Sequence, residues 1–167
     1  DATNGVIVAA EVTQQQTDHG LLSGQLQQTA ENVGCRPDMV LADSGYSDEA
    51  TFQSLAEIGQ EALIPPHEQP QEAKRTDPFA SRCFVPDQQG QVLICPQGRE
   101  LTFRRVVRCS SGSYREYRAQ DCRDCPFYAE CVKVKSKRGR SVQISVVADQ
   151  RNGMRQKLKT ADGKALY

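Results

Sequence analysis

The chain has 167 residues, 38% of them hydrophobic, with 21 basic and 21 acidic side chains that cancel to a net charge of zero. That length suits one domain, or one domain with a small module. No apolar run approaches the roughly 18 residues of a membrane-spanning helix, and the acidic N-terminus lacks the basic n-region of an export signal. The neutral average hides an asymmetry. Residues 1–72 hold twelve acidic side chains and one basic one, Arg36, whereas residues 99–140 hold twelve basic and five acidic ones. Such a split points to one part meeting a polyanion, although a solvated basic face has the same composition. Seven cysteines, an odd number, argue against a fully paired disulfide framework and suit a reducing cytoplasm with metal-bound thiolates.

In chain order, residues 5–12 are nearly continuous in apolarity and predict a buried strand. Asp18 is placed to cap a helix whose inner face is Leu22, Leu26, Ala30 and Val33, with Gly34 as its C-terminal stop. Residues 39–43 follow, four apolar residues running into Asp43 and Gly45, and predict a short buried strand that delivers a carboxylate to its C-terminal end. An ordinary Asp/Gly turn would read the same way. Ser47 can cap a second helix with Phe52, Leu55 and Ile58 inward, and residues 62–64 predict a third strand before Pro65 and Pro66. The order β-α-β-α-β predicts an α/β fold with a parallel sheet covered on both sides, Met39–Asp43 at its centre.

Residues 65–78, with four prolines among Glu, Gln and Lys, read as a linker, and His67 within it carries no role. From Phe79 to about Val147 the apolar runs are short (residues 92–94, 106–107 and 142–147), which predicts a small strand-rich module whose core is too thin to stand without a staple. Cys122 and Cys125 form a C-x2-C pair, and Cys131 and Cys95 are its nearest companions. That spacing suits tetrahedral Zn²⁺, with Cys109 as the alternative to Cys95. A redox pair or unconnected thiols are the rival readings, the first disfavoured by Pro126 and the basic, turn-rich surroundings. Cys35 and Cys83 are expected to be single packed thiols.

Taken together, these segments resemble the C-terminal part of a bacterial insertion-sequence transposase of the DDE type. The resemblance is carried by residues 40–47 around Asp43, by Gly5–Val8 followed by Thr17-Asp18-His19, and by the turn Ile94–Gly98. The Cys122/Cys125/Cys131 cluster and Met154–Leu158 with Gly163, Lys164 and Tyr167 complete it. It implies a partial RNase H-like core over residues 1–66, a cysteine-rich zinc insertion over 67–147 and a return to the core over 148–167. It implies Asp43 as one of three carboxylates that hold two Mg²⁺ for cleavage and transfer of DNA strands. The first aspartate and the final glutamate are expected outside these residues, so this chain alone should be inactive. DNA would then be the partner, with Arg104, Arg105, Arg108, Lys133, Lys135, Lys137, Arg138 and Arg140 as phosphate contacts. Action at the bacterial nucleoid, as a possible homodimer, follows from the same resemblance. A non-catalytic zinc module that binds nucleic acid, or a decayed transposase, is the alternative.

Overall fold

A computed structural model of the chain describes residues 4–67, 77–110, 112–132 and 139–167. They divide into two compact units, residues 1–67 with 147–167, and residues 68–146.

In the first unit, helix α1 (Leu21–Val33) precedes strand β1 (Val40–Leu41), helix α2 (Glu49–Glu57) and strand β2 (Ala62–Leu63). Strands β1 and β2 pair in parallel, Val40 opposite Ala62 and Leu41 opposite Leu63, and α2 is their crossover, as a parallel pair requires. Leu22 and Leu26 of α1 and Leu55 of α2 pack with Val40, Ala62 and Ile64. The four-residue spacing of the leucines puts them on one helical face. Gly34 ends α1 with φ near 85°, a conformation that a Cβ would resist.

Three expectations are corrected here. Residues 5–12 form no strand: Ile7 is 83% and Val12 99% exposed. A strand is held by a hydrogen-bonded neighbouring strand, and among the described residues no strand lies beside this stretch; Val8 instead accepts from the Asn32 side chain of α1. The stretch 39–43 is therefore the edge of a two-stranded sheet rather than its centre, with Leu41 45% exposed. The caps also shift. Gly20, not Asp18, occupies the N-cap of α1. Asp48, not Ser47, caps α2 by accepting from the Thr51 N–H, while Ser47 accepts from the His67 N–H.

Helix α3 (Ala148–Lys157) returns to this unit, followed by α4 (Ala161–Leu166). Met154 packs on the core, Arg151 donates to the Ser47 carbonyl, and Lys157 pairs with Glu61. The elbow between α3 and α4 depends on Gly163. A Cβ there would lie 2.0 Å from the Lys157 carbonyl oxygen, and backbone cannot yield as a side-chain end can. Gly163→Ala is expected to cost about 3 kcal/mol, the upper end of overpacking penalties, checked by urea denaturation; an unchanged midpoint would mean that the elbow adapts freely.

The second unit is a five-stranded antiparallel sheet in the order β3-β4-β5-β6-β7. Its strands are Val85–Pro86, Val92–Ile94, Glu100–Cys109, Gly112–Ala119 and Ser141–Ser145. One face buries Leu93, Leu101, Tyr117, Ala119 and Val142 with Phe84, the alternation expected of a one-sided sheet. The Tyr117 hydroxyl donates to the Gly90 carbonyl at 2.7 Å, so this large buried ring leaves no polar atom unmet. Opposite the core, Glu116 lies buried between Arg105 and Arg118, at 2.8 and 3.3 Å. The hydrogen bond from Arg105 comes first among the causes that hold the Glu116 carboxyl below its usual range; Ser141 and the Arg118 charge add to it against the cost of burial.

Candidate functional site

Asp43 lies two residues beyond the carboxyl end of β1, exposed, and its side chain caps the short 3-10 turn Ser44–Tyr46. Its Oδ1 accepts from the Gly45 N–H at 2.7 Å, which fixes the carboxylate's direction. Arg36, its one basic neighbour in the first 72 residues, is turned to the Ile58 carbonyl instead. The structure adds a second carboxylate. A Cβ on Gly45 would lie 2.9 Å from both Asp43 Oδ1 and Asp18 Oδ2, so the two acids approach the same face of a residue that has no side chain. Asp48 ties this corner together, accepting from the Gly20 N–H, the Thr51 N–H and the Thr51 hydroxyl. Burial works to raise Asp48, but the Thr51 and Gly20 hydrogen bonds and nearby His19 outweigh it and hold the carboxyl below its usual range. Asp18 and Asp43 are 25 positions apart, and no periodicity marks them as neighbours.

The second cluster lies in the other unit. Cys95, Cys122, Cys125 and Cys131 line one cavity of about 20 Å³, room for about one water-sized particle. Cys95 sits in a tight turn where its Sγ accepts from the backbone N–H groups of Gln97 and Arg99, at 3.4 and 3.3 Å. Arg99 donates on to the Asp121 carbonyl, tying this turn to the loop that carries Cys122. Cys122 and Cys125 are joined by a turn in which the Cys125 N–H reaches the Cys122 carbonyl at 3.0 Å, and Cys131 closes the helical turn Tyr128–Cys131. No disulfide joins any of the seven cysteines. Among the described residues, no three His, Cys, Asp or Glu side chains stand where they would hold a metal ion together. Burial pushes the Cys131 thiol up, against the opposing charge of Arg140; neutral thiols pack as small apolar groups, and Cys95, Cys122 and Cys131 lie against the sheet's core.

The other cysteines stand apart. Cys109 is exposed and ends β5, eight residues from the cavity-lining Leu101, roughly 26 Å along an extended strand. Cys35 is exposed rather than packed, and Cys83 is half-buried.

The basic side chains do not share one face. A register shift between Phe103 and Arg105 interrupts the β5–β6 ladder, and a bulge of this kind re-aims side chains. Arg105 pairs with Glu116 while its own side chain stays 70% exposed, and Arg104 and Arg108 are exposed as well. Lys133, Lys135, Lys137 and Arg138 lie outside the described residues. Arg140, partly buried, lines the cysteine cavity, donates to the Phe79 carbonyl and stacks over the Phe84 ring at 5.7 Å.

Residues 94–167 match the family model of the transposase DDE domain. The matched stretch contains all four cavity cysteines and helices α3 and α4, and begins well after Asp43. Over this stretch, less than half of the chain, the protein is similar to DDE-type transposases. None of the curated proteins and none of the solved structures matches the chain. No helix among the described residues is long and apolar enough to cross a membrane.

Proposed function

From the match of residues 94–167 to the transposase DDE domain, we propose that this chain is part of a transposase that cleaves DNA strands at the ends of an insertion sequence and transfers them to a target. That match carries the proposal. The crossover β1-α2-β2, with α1 packed beside it, is read as part of an RNase H-like core, and residues 68–146 as an insertion into it.

Asp43 is assigned to the catalytic metal site. It is an exposed hard-oxygen donor just past the end of a parallel strand, the part of an open α/β sheet where ligands bind, and oxygen is what magnesium takes. Mg²⁺ bound there would stabilise the attacking and leaving oxygens of an in-line displacement. The Gly45 N–H, by holding Oδ1, presents the rest of the carboxylate in one orientation. The complete transposase, given Mg²⁺ and duplex DNA carrying the element's ends, is expected to produce nicks at those ends; cleavage that persists in excess EDTA would overturn the reading.

Cys95, Cys122, Cys125 and Cys131 are assigned to one structural Zn²⁺. The support is their common cavity, the room in it for a single ion, and the N–H groups already directed at Cys95. These residues fit the ion in donor type, since four thiolates make a closed structural site. Binding the ion would require the sulfurs to converge further, which couples it to the ordering of the loops that carry them.

The exposed Arg104 and Arg108, with the basic stretch 133–138, are assigned to the DNA backbone. Binding of a random-sequence duplex should weaken steeply as salt rises, because released counterions drive it. Replacing Arg104 and Arg108 together with Ser is expected to reduce the log–log salt slope by roughly 2, since each phosphate that a cation neutralises adds about 0.9 to it. A slope unchanged in fluorescence-anisotropy titrations would remove these two residues from the interface.

A further inference from the structure

Among the described residues, Arg140 Nε is the buried side-chain nitrogen or oxygen that finds no hydrogen-bond partner. A buried N–H without an acceptor is costly, and a native structure seldom keeps one without a reason. The surroundings supply the reason. The guanidinium lines the cavity of Cys95, Cys122, Cys125 and Cys131. Its Nη2 is committed to the Phe79 carbonyl, and its plane stands over the Phe84 ring. Its backbone carbonyl accepts from the Ala119 N–H, which extends the β6–β7 pairing by one residue. The side chain is thus anchored on several sides, with a spare donor and a fixed positive charge in the wall of the cavity that the four cysteines line.

Four thiolates around a divalent ion carry a net charge of −2, and uncompensated charge is expensive away from water. The N–H groups of Gln97 and Arg99 serve Cys95 alone. We propose that Arg140 is the counter-charge of the cysteine centre: a positioning residue whose Nε–H and positive charge stabilise the thiolate cage and so set its affinity for metal. The proposal rests on the zinc reading above and adds to it a residue beyond the ligands. It also takes Arg140 out of the set of phosphate contacts and gives it a different anionic partner.

The test measures Zn²⁺ affinity by chelator competition, and the ligand-field spectrum with Co²⁺, for the wild-type chain, Arg140→Gln and Arg140→Lys, with folding followed separately by circular dichroism. Arg140→Gln is expected to bind 10–100-fold more weakly, the usual range for removal of a partner of the ligands. Arg140→Lys, which keeps the charge and a donor, is expected to recover most of that loss. The Co²⁺ spectrum of Arg140→Lys should still show four sulfur ligands. Wild-type affinity in a folded Arg140→Gln would overturn the proposal. So would equal losses in the two variants, since only Arg140→Lys keeps the positive charge. If neither variant folds, the wild-type chain loaded with ¹¹³Cd decides: a slowly exchanging Arg140 Nε–H coupled to cadmium supports the proposal, and a rapidly exchanging one refutes it. A wild-type chain that takes up neither Zn²⁺ nor Co²⁺ refutes the zinc centre itself, an outcome distinct from a centre that forms without help from Arg140.

Discussion

Stripping zinc from the protein is expected to loosen the antiparallel sheet β3–β7 while the paired strands β1 and β2 keep their protection. The sheet's core consists of Phe84, Leu93, Leu101, Tyr117, Ala119 and Val142, and three of the four cavity cysteines pack directly against it. So few buried side chains make a thin core for a unit of this size, and small folds with thin cores commonly depend on a metal or another staple. Metal-binding free energy in such units is folding free energy. Hydrogen exchange should therefore speed up in β4, β5 and β6 when a chelator is added, and a Cys122→Ser variant should behave like the stripped protein. The first unit is the internal control, because its core of Leu22, Leu26, Val40, Leu55, Ala62 and Ile64 contains no cysteine. About one zinc per chain should be found before chelation. Exchange in β4–β6 that is indifferent to chelator, or a purified protein with disulfides in place of metal, would contradict the assignment.

The cysteine cavity could be read from local sequence because its parts are local. A C-x2-C turn and a Cys-Pro-x-Gly turn place their own sulfurs, and only the approach of one turn to the other needs the fold. Cys109, the alternative to Cys95 in the sequence, ends β5 and does not line the cavity. The position of Arg140 in the cavity wall was not legible. In the sequence it is one more member of a basic run, and only the packing of Phe79, Phe84 and the cysteines around it sets it apart.

The first unit shows the opposite failure. Residues 5–12 have the composition of a buried strand, yet strand formation depends on a partner, and composition carries no information about one. Helices α1 and α2 were legible because the leucine spacing and the terminal glycine act within a few residues; their N-caps shifted by one or two positions, since Ser, Asp and Gly at neighbouring sites compete for the same turn. The approach of Asp18 to Asp43 across Gly45 is a tertiary event with no local signature.

In the proposed reading, Asp43 joins the fold to the chemistry. Its carboxylate is exposed, held by the Gly45 N–H and located just beyond β1, so replacing it with Asn removes a charge while hardly changing shape. The packed residues near it, Ala42 and Tyr46, are untouched by that change. Loss of one of three metal-holding carboxylates removes electrostatic stabilisation of the transition state, for which single groups are typically worth 10²–10³-fold or more. The most direct measurement compares wild-type and Asp43→Asn forms of the complete transposase in Mg²⁺-dependent cleavage of DNA bearing the element's ends, with DNA affinity and thermal stability recorded for both. The expected result is cleavage reduced at least about 100-fold, with affinity and stability unchanged. Cleavage by Asp43→Asn at the wild-type rate would contradict the assignment of Asp43 to the catalytic centre.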